Sequence, residues 1–120
     1  MKDFSQKFLD GENTAIWFSS PSRSVHVVSS RFNLSFRDSQ HRIASGLIRL
    51  AEDGFCNTEL QRGIVVDIYC LENFYSENWY VKFSICRSES ELPYLEEVSF
   101  HPLEKNIKLA NGRTVSKSTK

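Results

Sequence analysis

Two alternating apolar runs, Ile64 to Cys70 (IVVDIYC) and Trp79 to Cys86 (WYVKFSIC), flank the short acidic and aromatic segment Glu72 to Glu77. Alternation with a period of two, dense in β-branched and aromatic residues, predicts a β-hairpin at the centre of a curved sheet. Setting Leu71 opposite Asn78 pairs Cys70 with Trp79, Ile68 with Val81, Val66 with Phe83 and Ile64 with Ile85 on one face. The other face then pairs Tyr69 with Tyr80 and Asp67 with Lys82. In a sheet with one wet face, a one-residue slip would expose the whole apolar set, so this is the expected register.

The flanking sequence supplies the remaining elements. Phe4, Phe8 and Leu9 ahead of Gly11 fit either a short N-terminal helix or a docked extended arm. Thr14 to Ser19 and Ser24 to Ser29 read as a first hairpin about the turn Ser20-Pro21-Ser22. Arg31 to Arg37 alternates strictly, with Phe32, Leu34 and Phe36 inward, as a half-buried strand or the second strand continued past a bulge would. The main helix is expected over about 39–53, capped by Asp38 or Ser39 and stopped by Gly54, with Ile43, Leu47, Ile48 and Ala51 on its core stripe. Gly46 on that helix allows close approach to the sheet. Phe55 to Arg62 reads as a connector in which Asn57 or Thr58 caps a turn. Tyr94 to Phe100 reads as a strand with Val98 and Phe100 inward, and Asn111-Gly112 within 107–115 fits either a last hairpin or a frayed tail after Leu109.

The expected fold is therefore α+β: one antiparallel sheet of about five to seven strands with one main helix on one face. At 120 residues the chain suits a single domain over 1–116 with a disordered tail at 117–120.

Charge is balanced overall, 15 basic against 15 acidic side chains, but uneven along the chain. Arg23, Arg31, Arg37, Arg42 and Arg49 face only Asp38 in the stretch 21–50, whereas 72–97 holds six glutamates against Lys82 and Arg87. Protein-binding surfaces combine aromatic anchors with a charged rim. Glu72, Tyr75, Glu77, Glu89, Glu91 and Glu96, with Tyr69 and Tyr80 on the wet face, are accordingly the candidate contact residues for a basic partner. The three cysteines fit buried free thiols in a reducing cytoplasm, and no apolar run approaches a membrane span.

Signals for chemistry are sparse. His26, His41 and His101 form no recognised pairing with Cys56, Cys70 or Cys86, and the glycines are scattered singly rather than gathered into a phosphate loop. No catalytic residue, metal or cofactor is expected. Two rival readings remain: a nucleic-acid-binding or regulatory module using Arg31, Arg37, Arg42 and Arg49, and a small hydrolase or nuclease using His26 or His101.

Across roughly residues 34–100 the pattern resembles the immunity proteins of bacterial contact-dependent growth inhibition systems. The resemblance rests on a strand ending in Leu34-Ser35-Phe36, a capped helix opening at Asp38, and strands at Val65 to Tyr69, Asn78 to Phe83 and Leu95 to Phe100. The segment from Leu103 on departs from it. The resemblance implies a small cytoplasmic protein that binds and neutralises one cognate toxin domain, commonly a nuclease, without catalysis of its own. Such proteins cover the toxin's active site or grip a nearby surface, sometimes by pairing a sheet edge.

Overall fold

The computed structural model describes residues 2–19, 22–87 and 92–117. Its elements are α1 (Lys2–Leu9), β1 (Ile16–Trp17), α2 (Arg23–Phe32), α3 (Phe36–Ile48), β2 (Phe55–Gln61), β3 (Ile64–Phe74), β4 (Glu77–Cys86), β5 (Tyr94–Pro102), β6 (Ile107–Lys108) and β7 (Thr114–Val115). A single 3₁₀ turn, Glu52–Gly54, joins α3 to β2. The α+β class stands, with a different arrangement from the one expected. Three helices accompany a five-stranded sheet in the order β1-β5-β4-β3-β2, and β6 pairs with β7 in a separate ribbon. The sheet is mixed, because β1 runs parallel to β5.

The expected first hairpin is absent. Residues 24–29 are helical despite three valines, because Val25 and Val28 fall on one buried helical stripe and both ends are capped. The Ser22 side chain accepts from the Val25 N–H at 3.2 Å. At the other end Asn33 takes the left-handed conformation (φ 55°) and its N–H donates to Ser29 O. The strict alternation at 31–37 therefore spans a helix–helix junction, and Phe36 ends 55% exposed. Of the proposed turn at 20–22, Ser20 and Pro21 lie outside the described residues.

Helix α3 opens three residues before the expected start because Ser35, not Asp38 or Ser39, is its cap, accepting from the Asp38 N–H at 3.1 Å. It ends at Ile48, and Ala51 is exposed beyond it. Gly54 is needed for a close approach rather than a helix stop: a Cβ there would lie 2.5 Å from Cys70 O. The predicted connector is strand β2, turned into β3 by Arg62-Gly63 with both residues at positive φ (52° and 79°). Asn57 and Thr58, expected as caps, instead pair with Ile68 and Asp67.

The central hairpin forms with its register one residue away from the predicted one. Tyr69 lies opposite Val81, Ile68 opposite Lys82, and Leu71 opposite Trp79. Leu71, Trp79, Val81 and Phe83 thereby join the helix-side core, while Ile68 and Cys70 join a second cluster with Cys56, Leu103, Leu109 and Val115 on the opposite side. The C-terminal ribbon is what makes the slip acceptable, since it covers the face that the sequence reading had left wet. Ile64 stands 44% exposed beside the Arg62-Gly63 turn, contrary to its expected burial. Val98 is 39% exposed and Phe100 fully buried, because a register shift after Lys82 changes the parity of β5 against β4. Of the two readings of 107–115, the hairpin is the one present, as β6 and β7. Of the tail, residues 118–120 lie outside the described residues, and the Lys117 N–H donates to Asn106 Oδ1 at 3.0 Å. No helix among the described residues is long and apolar enough to cross a membrane.

Gly46 meets the sheet as anticipated: a Cβ at this position would sit 2.8 Å from Phe100 Cζ and 3.2 Å from Leu71 Cδ2. The Phe100 ring is itself held against Trp79 and Phe74, so it cannot yield cheaply. Gly46→Ala should therefore lose about 1–3 kcal/mol in denaturant unfolding despite the better helix propensity of alanine. A stabilised variant would mean that the two layers are not in tight contact at this point.

Candidate partner-binding surface

The tip of the β3–β4 hairpin gathers more chemistry than any other part of the predicted surface. Its two turn residues, Tyr75 (φ 52°) and Ser76 (φ 64°), are both left-handed, the backbone of a type I′ turn. Asn and Gly are the usual occupants. Neither is present, and a tyrosine here costs about 1–2 kcal/mol of backbone strain. Two residues upstream Asn73 is also left-handed (φ 53°), where the ladder shifts between Leu71 and Phe74. That shift sets Phe74 opposite Glu77, with both side chains buried. The Trp79 indole N–H donates to Phe74 O at 2.9 Å and closes the turn from inside.

Helices α2 and α3 supply the rest of the tip. Arg31, in the last turn of α2, makes a two-pronged ion pair with Glu77. Arg42 of α3 places its guanidinium 4.2 Å from the Tyr75 ring centre and 4.6 Å from that of Phe32. Arg49 lies 5.7 Å from the Phe74 ring. Tyr75 itself rests on Phe74 and Phe32, with centroids 4.6 and 5.1 Å away, and stays 50% exposed. The result is a half-exposed aromatic ring backed by arginines. Glu77 is already matched by Arg31, which leaves Arg42 and Arg49 to set the local charge.

The other candidates are dispersed. Tyr69 and Tyr80 point to opposite faces as a consequence of the register. Tyr69 stacks on Phe83 at 5.7 Å and meets Phe55 at 5.3 Å. Burial, then the carboxylates of Asp67 and Glu52, hold its phenol above the ordinary range. Tyr80 stacks on His101 beneath the C-terminal segment. Glu72 pairs with Arg113 at 2.5 Å, and Glu96 accepts from the Cys86 thiol at 3.6 Å. Glu89 and Glu91 lie outside the described residues. Glu77 meets Arg31 of the basic stretch and Glu72 meets Arg113 of the C-terminal segment, so neither glutamate is an unmatched charge.

The remaining reactive side chains are engaged structurally. His26 sits edge-on to Phe36 at 5.0 Å, and His41 edge-on to Phe8 at 5.4 Å. Burial pushes the Cys70 thiol up to about 12 and raises that of Cys56, which disfavours the reactive thiolate in both. Among the described residues no three His, Cys, Asp or Glu side chains assemble as a metal site would. No family model matches the chain, and no curated protein or solved structure matches it either.

One functional group escaped the sequence reading. Glu97 of β5 is 3% exposed and accepts from Ser24 Oγ of α2 at 2.9 Å. Burial outweighs that hydrogen bond and pushes its carboxyl up to about 7. Between the ordinary value of 4.5 and about 7 the folded chain keeps a proton that the unfolded chain releases, so stability falls as pH rises through this window. Thermal denaturation from pH 5 to 8 should show that decline, on the order of 1–3 kcal/mol, and Glu97→Gln should flatten it. An unchanged slope in the variant would place the titration elsewhere.

Proposed function

We propose that this chain is a protein-binding module that neutralises a toxin domain, and that the hairpin tip around Tyr75 is where the toxin docks. The reading is carried by one observation: a tyrosine held half-exposed in a strained left-handed turn, braced by Arg42 and Phe32. Strain of this kind concentrates at functional positions. Tyrosine and arginine are also the side chains that most often dominate binding energy at interfaces, and a pre-set ring loses little entropy on docking. The resemblance to contact-dependent growth inhibition immunity proteins supplies the nature of the partner. With Glu77 matched by Arg31, the tip offers Arg42 and Arg49 to an acidic or π-rich patch on the toxin, while any attraction of basic surface falls to the glutamates away from the tip.

The test is co-purification with, and inhibition of, the toxic domain encoded beside this gene. Tyr75→Ala should weaken that complex by about 2 kcal/mol, roughly 30-fold, in a chain that still folds cooperatively. Failure of the unaltered protein to bind the domain at micromolar concentration or to block its activity would contradict the reading. Exposed Phe36 and Arg37 on the first turn of α3 favour a second reading, nucleic-acid binding. It requires a gel shift that weakens steeply with salt.

A further inference from the structure

A concavity lies on the side of the sheet away from the helices, bounded by β4, β5 and the segment leading into β6. Its volume is about 550 Å³, the size of a small-molecule site. Lys82 and Ser99, cross-strand partners, contribute to its lining side by side. The next cross-strand pair, Tyr80 and His101, forms a ring wall with centroids 5.2 Å apart and planes 16° from parallel. Leu103 and Ile107 add an apolar wall, and exposed Lys105 stands at the rim.

The electrostatics of this cavity are incomplete. The Lys82 side chain is only 14% exposed, yet its ammonium meets no carboxylate closer than Glu59 Oε1 at 4.0 Å among the described residues. Its other neighbour is the Tyr80 ring, 5.6 Å away. With one long ion pair at 4.0 Å, a lysine whose apolar stem is largely covered can take a fuller anionic partner at its ammonium. His101 Nδ1 lies 2.8 Å from Pro102 O and so donates to it, which leaves Nε2 of the neutral ring as an acceptor. Ser99 adds a hydroxyl donor and Lys105 a second positive charge. Glu104, 3.9 Å from His101 and 73% exposed, is solvated at the rim and opposes an anion only weakly.

We propose that this cavity binds a small phosphate monoester carrying an apolar body, with the phosphate at Lys82 and Ser99 and the body along Leu103 and Ile107. A lysine acts on phosphate as a point charge, and the adjacent hydroxyl supplies direction. The site is independent of the toxin-binding reading, since it lies on another face and shares none of the tip residues.

Phenyl phosphate is a suitable probe, titrated into the intact protein and followed by amide chemical shifts. Saturable shifts are expected at Tyr80, Ser99, His101 and Lys105. Inorganic phosphate and phenol, each carrying half of the chemistry, should bind roughly 10-fold more weakly or worse. Lys82→Met, which keeps the apolar stem, should reduce phenyl phosphate affinity by roughly 10-fold or more, and Ser99→Ala by several-fold. Absence of saturable shifts, shifts confined to another surface, or undiminished affinity in Lys82→Met would overturn the proposal. Should Lys82→Met fail to fold, Ser99→Ala decides in its place, and unaltered affinity there overturns the proposal equally.

Discussion

Strand β3 carries apolar side chains on both of its faces, and the whole fold answers to that constraint. Leu71 faces the helices, whereas Val66, Ile68 and Cys70 are buried on the opposite parity. A sheet of this kind must be covered twice. The helical layer covers one side, and Leu103, Leu109 and Val115 of the C-terminal segment cover part of the other. The backbone joins this cover to the sheet as well: the Ala110 N–H donates to Phe55 O, and the Leu103 N–H to Asn78 O, both at 2.9 Å. A short ribbon that would be unstable alone is thus held by burial and by sheet-edge hydrogen bonds.

The same constraint organises the charges. Once the register directs Phe74 and Glu77 inward at the hairpin tip, a carboxylate is left with little solvent, and Arg31 from the end of α2 compensates it. Losing Arg31 would leave the buried Glu77 carboxylate unpaired, which ties the hairpin tip to the helical layer electrostatically as well as by packing. Tyr75 is exposed because the two residues flanking the turn are drawn in. At the far side of the helical layer Glu97 and Ser24 make the corresponding polar contact between α2 and β5. Among the described residues no countercharge meets that carboxyl, and protonation takes its place near neutral pH.

Much of this was legible in the residues, and the parts that were not share a cause. The strands β3, β4 and β5, the Ile43–Leu47 stripe of α3, the close approach at Gly46 and the Asn111-Gly112 hairpin all follow from local periodicity or turn chemistry. Helix α2 did not, because its valines favour a strand locally and only burial of Val25 and Val28 decides otherwise. Strand β2 did not, because its exposed Asn57, Thr58 and Glu59 carry no alternating apolar signal and the Arg62-Gly63 turn lacks the usual asparagine. The register differs by one residue because alternation alone implies a sheet with one wet face, whereas both faces of β3 are covered. Tyr75 could be singled out from its loop, but Arg42 and Phe32 beneath it depend on where α2 and α3 lie, and Glu97 looked like one glutamate among six.

The most direct measurement of the two-faced sheet is the interstrand and methyl NOE network of the intact chain. The account predicts Tyr69 opposite Val81 and Ile68 opposite Lys82, with methyl contacts from Leu109 and Val115 to the face bearing Ile68 and Cys70. Ile68 opposite Val81 and Cys70 opposite Trp79, with Leu109 and Val115 free in solvent, would contradict it.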